Sequence, residues 1–188
     1  MIQIYLVEGR IPKRVGNRYE FIAPYNSFQA SDGWVVIGVG GQEVWKRFCH
    51  VIGREDLIET PEFLTNKVRV QNVIRLEQIV TEWTEKKKVA DIVSLLMEAS
   101  VPCSPILNVD EICNDPHIAK AREMIVAMDH PLGGKMNVVS CPIKFTRMKP
   151  SIRSTAPAHG EHTEQVLTGI LGLSNEEYAR LKEGGATG

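Results

Sequence analysis

With 188 residues, 43% of them hydrophobic and 24% charged, the chain has the composition of a folded globular protein and not of a fibre or a disordered tail. Lys and Arg number 22 against 23 Asp and Glu, so a net charge of -1 offers no basic field to a nucleic-acid backbone. No apolar stretch approaches the roughly 18 residues that span a bilayer, and the first residues lack the basic-then-apolar order of a signal peptide, so no membrane association and a cytoplasmic location are expected.

Met1 to Ile22 opens on the apolar run Ile2 to Val7, continues as the basic, turn-rich Arg10 to Arg18, and reads as a connector entering a domain. Ala23 to Gln29 is extended and aromatic. Ser31-Asp-Gly33 then supplies turn chemistry before the apolar run Trp34 to Ile37, which predicts a hairpin. Gly38-Val-Gly-Gly41 breaks the second strand, and Val44, Trp45, Phe48, Val51 and Ile52 recur at helical intervals up to Gly53. Asn66 is expected to cap the next helix, with Val70, Val73, Ile74, Val80 and Trp83 inward and Arg69, Arg75, Glu77 and Glu82 toward solvent. Lys86-Lys-Lys88 interrupts that pattern. Val89, Ile92, Val93 and Leu96 mark a further helix that stops before Pro102, and Val101 to Leu107 is extended.

A short helix is predicted over Asp110 to Asn114, and Asp115-Pro116 starts a turn or helix over His117 to Glu123. Met124 to Met128 and Met136 to Ser140 flank Pro131-Leu-Gly-Gly134 as a second hairpin. Pro142 to Gly160 reads as an irregular arm. Glu161 to Leu171 and Ser174 to Lys182 close the chain as two short helices, the second announced by the capping-box pair Ser174 and Glu177.

Several side chains invite a chemical reading. Gly38 to Glu43 joins a strand to a helix, where free N–H groups and the helix dipole attract an anion, although the same glycines also suit a tight turn and close helix packing. A dinucleotide fingerprint would need its third glycine where Glu43 stands, and no Gly-Lys-Ser/Thr follows for a P-loop. His159 and His162 have the separation of two metal ligands but no third ligand nearby, so surface or capping roles are expected and no metal site. Cys49 and His50 are adjacent on a helix and point about 100 degrees apart, which disfavours a nucleophile–base pair. Cys49, Cys103, Cys113 and Cys141 form no C-x-x-C pair and read as core thiols. Lys86 to Lys88 could meet a phosphate but reads more simply as a solvated face, and Trp34, Trp45 and Trp83 as core anchors.

Taken in order, Arg14-Val-Gly-Asn17, Ala23-Pro-Tyr-Asn-Ser-Phe28, Asp32-Gly-Trp-Val-Val-Ile-Gly38, Trp45-Lys-Arg-Phe-Cys49, Thr65-Asn66 with Arg69-Val70, and Val101-Pro-Cys-Ser-Pro-Ile106 form a series. It continues through Asp115-Pro116, Ala121-Arg-Glu-Met124, Pro142-Ile-Lys-Phe145 and Gly160-Glu-His-Thr163. The series resembles the C-terminal half of family III CoA-transferases, the group of formyl-CoA:oxalate and carnitine CoA-transferases and alpha-methylacyl-CoA racemase.

The resemblance implies an α+β fold: a small mixed α/β domain with hairpins and amphipathic helices, plus a C-terminal arm that in the family packs on a Rossmann-like large domain absent here. Residues 1–22 would be the N-terminal segment and connector, 23–123 the small domain, and 124–188 the hairpin, arm and terminal helices. It further implies covalent catalysis by an aspartate of the N-terminal half, so that no catalytic residue is expected in this chain. Gly38, Gly40, Gly41 and Gln42 are similar to the family's mobile active-site glycine loop, with Val39 departing from its more uniformly glycine form. Coenzyme A is then a substrate, no cofactor is permanently bound, and the partners are an acyl-CoA, a carboxylate, and a second copy or a complementing chain. Ile143, Phe145, Val166 and Leu167 of the arm would be left uncovered. A catalytically inactive remnant that self-associates, and part of a racemase-like enzyme, are the alternatives.

Overall fold

The chain begins with α1 (Ile2–Glu8), a helix with no buried side chain that ends where Gly9 turns left-handed at φ 67° and donates its N–H to the Tyr5 carbonyl at 2.9 Å. The computed structural model describes residues 1–148 and 151–187, in two compact units, Met1–Asn108 and the stretch from Val109 onward.

In the first unit the expected hairpin forms from β1 (Tyr25–Gln29) and β2 (Trp34–Gly38), antiparallel, with Phe28 opposite Val35 and Tyr25 opposite Gly38. Period-two alternation sends Phe28, Val35 and Ile37 into the core. The same alternation turns Trp34 outward, 47% exposed, so it is not the core anchor expected of it. α2 (Gln42–Val51) follows and buries Trp45, Phe48 and Cys49 at three- and four-residue spacing. α3 (Asp56–Glu59), α4 (Asn66–Gln71), α5 (Val73–Thr84) and α6 (Val89–Glu98) precede β3 (Cys103–Ile106), which pairs antiparallel with β2 and completes a sheet of order β1-β2-β3.

The helix expected from Asn66 onward is two helices, broken at Asn72, whose side-chain amide donates to the carbonyls of Glu62 and Val68 at 3.2 and 3.0 Å. Its cap is Thr65, which accepts from the Val68 N–H, because the Asn66 side chain is engaged elsewhere. The expected inward face is also corrected. Leu76, Glu77, Val80 and Thr84 are buried while Ile74 is 57% exposed, and Arg69 is fully buried. Glu77 can lie inside because Arg18, from the connector, forks onto its carboxylate and Asn26 donates to it at 3.0 Å. No residue of α6 caps its own start; Asp32, from the hairpin turn, accepts the Val89 N–H at 2.8 Å.

The second unit begins with α7 (Val109–Asn114) and a π-helical turn over Pro116–Ala121, capped by Asp115, which accepts from the Ile118 N–H at 2.6 Å. β4 (Ile125–His130) and β5 (Gly134–Val139) pair antiparallel as the second hairpin, with His130 opposite Gly134. The described residues of the expected irregular arm hold no helix or strand; Lys149 and Pro150 lie outside them. A second π-helical turn covers Gln165–Ile170, and α8 (Asn175–Glu183) closes the chain. Its capping box is complete: Ser174 accepts from the Glu177 N–H at 3.2 Å, and the Glu177 carboxylate accepts from the Ser174 N–H at 2.8 Å. Among the described residues the buried apolar core ends at Val101, so all of it belongs to the first unit.

Candidate functional site

Gly38 to Gln42 carries the chain from the end of β2 to the start of α2. Its near end is fixed on both sides, since the Gly38 N–H donates to the Pro102 carbonyl at 3.0 Å and the Val39 N–H to the Pro24 carbonyl at 2.9 Å. The Val39 side chain is fully buried, whereas Gly40, Gly41 and Gln42 are exposed. The departure at Val39 is therefore an apolar peg.

At Gly38 a Cβ would crowd the Tyr25 ring at 3.0 Å, so glycine lets that ring lie against the strand end. Glycine is not required by the turn at Gly41, whose φ of -120° and ψ of 167° suit any residue and whose Cβ would meet nothing within 4 Å. No side chain caps α2, and its first rung is the Trp45 N–H donating to the Gly41 carbonyl at 2.9 Å. An exposed backbone at the head of a ten-residue helix is a donor surface for an anion. Beside it the exposed rings of Tyr25, Tyr19 and Phe21 form an aromatic ledge, with centroids 5.4 Å apart for Tyr19–Tyr25 and 5.7 Å for Tyr19–Phe21.

Under the loop lies Arg69, which its charge had assigned to solvent. Nε donates to the Ala23 carbonyl at 3.0 Å, and Nη1 donates to the Phe63 carbonyl at 3.0 Å and to Gln42 Oε1 at 3.1 Å. The guanidinium carbon sits 4.7 Å from the centroid of the Trp45 ring, so a cation–π contact adds to the hydrogen bonds. Burial pulls the Arg69 pKa below its ordinary value, and no carboxylate pairs with it among the described residues. One turn earlier Asn66 accepts the Ala23 N–H at 3.2 Å and donates to the Phe21 carbonyl at 2.7 Å. α4 thus satisfies both backbone groups of Ala23, and the run Thr65-Asn66-x-x-Arg69 is a clamp that the sequence reading quoted but did not interpret. The available signal was spacing: in sequence Arg69 stands four residues before Val73, in phase with the apolar positions Val73, Leu76 and Val80, although the break at Asn72 places it on a separate helix.

The other candidates separate. Cys49 is buried and His50 exposed, with His50 Nδ1 2.8 Å from Glu55 Oε1, so the two do not meet. Burial pushes the Cys49 thiol from 9.0 up to about 12, against the smaller opposing pull of Arg69. Two consequences are expected. Iodoacetamide should spare Cys49 in the native chain while labelling the exposed Cys113 and Cys141; equal labelling would contradict this. Because the unfolded thiol loses its proton first, stability conferred by the neutral thiol is whole below pH 9.0 and is lost as pH rises toward about 12. Urea titrations at pH 8 and pH 10 should show Cys49→Ala losing part of the alkaline decline.

Cys113 and Cys141 are not core thiols, because among the described residues the hairpin and short helices of the second unit enclose no apolar centre; Cys103, on β3 at the edge of the first unit's core, is half-buried. His159 and His162 are exposed, and among the described residues no three His, Cys, Asp or Glu side chains group as a metal would require. Lys86, Lys87 and Lys88 line a surface groove with Ser31, Asp91 and Ser94, and Lys87 covers the Trp83 ring at 5.6 Å. No described helix is long and apolar enough to cross a membrane.

The sequence pattern of CoA-transferase family III matches residues 1–163. Succinyl-CoA-D-citramalate CoA-transferase of Chloroflexus aurantiacus is 28% identical over 97% of this chain and 45% of its own length. Succinyl-CoA:mesaconate CoA-transferase of Haloarcula marismortui is 35% identical over 87% of this chain and 40% of its own. The crystal structure of a CAIB/BAIF family protein from Brucella suis superposes with a TM-score of 0.70 and 31% identity, over 90% of this chain and 43% of that one. The chain spans less than half the length of each of these relatives.

Proposed function

Because this chain belongs to CoA-transferase family III, we propose that it forms the loop-bearing part of an enzyme that moves CoA from an acyl-CoA to a carboxylic acid through an aspartyl intermediate. The aspartate is supplied by an N-terminal half, on the same polypeptide or on another. Its carboxylate oxygen attacks the thioester carbonyl and expels CoA thiolate, leaving a mixed anhydride. The thiolate then attacks the aspartyl carbonyl, releases the donor acid and forms an aspartyl-CoA thioester. The acceptor carboxylate reverses this sequence: it displaces the thiolate to form a new anhydride, and the thiolate attacks the acceptor's acyl carbon, which frees the aspartate.

Gly40, Gly41 and Gln42 serve this chemistry by covering the anhydride and presenting N–H groups to its carbonyl oxygens. The observation that carries the reading is an exposed, uncapped helix start in the loop of a chain whose family match runs over residues 1–163. Two relatives are named for succinyl-CoA and a dicarboxylate, which supports a dicarboxylate acceptor here. In this reading 23–123 is the small domain and 124–188 returns toward the large one.

The test mixes the chain with a family N-terminal half and follows CoA transfer from succinyl-CoA to mesaconate or citramalate. Transfer is expected only in the mixture, and Gly41→Ala, which meets no atom within 4 Å, should fold normally yet reduce kcat by about tenfold. No gain over either component alone would refute the proposal. Exposed Ile143 and Phe145 favour a second reading, a non-catalytic self-associating domain, which association without any transfer would support.

A further inference from the structure

We propose that Arg69 is a positioning residue for the glycine loop, holding the first residue of α2 through Gln42 so that the loop amides are set for the transfer reaction; the inference rests on the function proposed above. Three separate segments converge on one guanidinium: Ala23 ahead of β1, Phe63 ahead of α4, and Gln42 at the head of α2. Gln42 passes the link on, since its Nε2 donates to the Leu64 carbonyl at 3.0 Å. The far end of the loop is thereby tied to the 63–64 segment, as its near end is tied to Pro24 and Pro102. Only Gly40 and Gly41 lie between the two anchored ends, so any closing motion is confined to two residues.

The choice of arginine is informative. Amides or hydroxyls would satisfy three neutral acceptors with far less desolvation than a cation. Arg69 instead keeps a buried positive charge that no described carboxylate neutralises, bonded to the first residue of a helix whose dipole has the same sign. Among the described residues its Nη2 is buried without a partner, so the guanidinium is incompletely satisfied. Such a charge under a donor loop favours an oxyanion above it and holds the loop without occupying the space an acyl group needs.

The link is tested at Gln42, which is exposed and contributes no buried apolar surface. Hydrogen exchange is measured on the 188-residue chain alone, reading the Trp45 and Lys46 amides of the first turn against Ile37 and Leu96 in the core. Gln42→Ala is expected to speed exchange at Trp45 and Lys46 by about tenfold, with Ile37 and Leu96 unchanged. Gln42→Glu gives up the bond to Leu64 but keeps an acceptor for Arg69, so it should retain most of the protection. In the complemented transfer assay Gln42→Ala should lower kcat with KM nearly unchanged, and Gln42→Glu, whose carboxylate neutralises Arg69 beneath the loop, should lower kcat as well although its exchange protection is retained. Unchanged exchange in Gln42→Ala, or exchange in Gln42→Glu as fast as in Gln42→Ala, would overturn the role of Arg69. Absence of transfer by the wild-type mixture would instead remove the function while leaving the exchange result standing.

Discussion

Arg69→Met is expected to destabilise the first unit by about 3–5 kcal/mol, read as a lowered urea midpoint with an unchanged slope. Methionine keeps much of the stem volume, and removing a buried cation relieves desolvation, so charge alone would predict a mild effect. The acceptors decide the sign. The carbonyls of Ala23 and Phe63 stay buried after the substitution and lose their donor, at about 1–3 kcal/mol each. The cation–π contact with Trp45 disappears as well. Against a typical total of about 5–15 kcal/mol, the variant should lie near the threshold of folding. Arg69→Lys should fall in between, since one ammonium on a flexible stem cannot span Ala23, Phe63 and Gln42 with a planar fork. A loss below about 1 kcal/mol in Arg69→Met would show that water or backbone adjustment replaces the clamp.

Glu77→Ala is the second large effect, expected at about 2–4 kcal/mol by the same measurement. The Glu77 side chain is only 11% exposed, and its carboxylate receives Arg18 through two nitrogens and Asn26 through one. Deleting it strands the Arg18 guanidinium in a partly buried position and unties the connector from α5. Its cost should be smaller than that of Arg69→Met because the Arg18 side chain, 28% exposed, can turn toward water. Glu77→Gln, which keeps an acceptor for both partners, should recover about half the loss. If Glu77→Ala is as stable as the parent, the connector is not held by this pair.

Local chemistry made much of the architecture legible. The Ser31-Asp-Gly33 turn between apolar runs marks the β1–β2 hairpin, because turn chemistry and period-two alternation are read within a few residues. The apolar stripe of α2 and the capping box of α8 are equally local. The motif series pointed to the family by the same route, since it needs order along the chain and no contact between distant parts.

What failed was the assignment of polar residues to a side. Arg69 and Glu77 are charged, and charge predicts solvent. Each is inside because partners far along the chain supply its hydrogen bonds: Ala23 is 46 residues from Arg69, and Arg18 is 59 from Glu77. Trp34 went the other way, its aromatic surface overruled by the register of its strand.

The sequence by itself thus determined most of the strands and helices, though not α1 in the expected connector, α3 or the break at Asn72, and it determined which family the chain belongs to, properties carried by neighbours in the chain. Only the tertiary structure decided that the loop is pegged by Val39 at one end and tied through Gln42 to a buried arginine at the other. A buried cation is stable only where acceptors from separate segments converge on it, and that convergence exists only once the chain has folded.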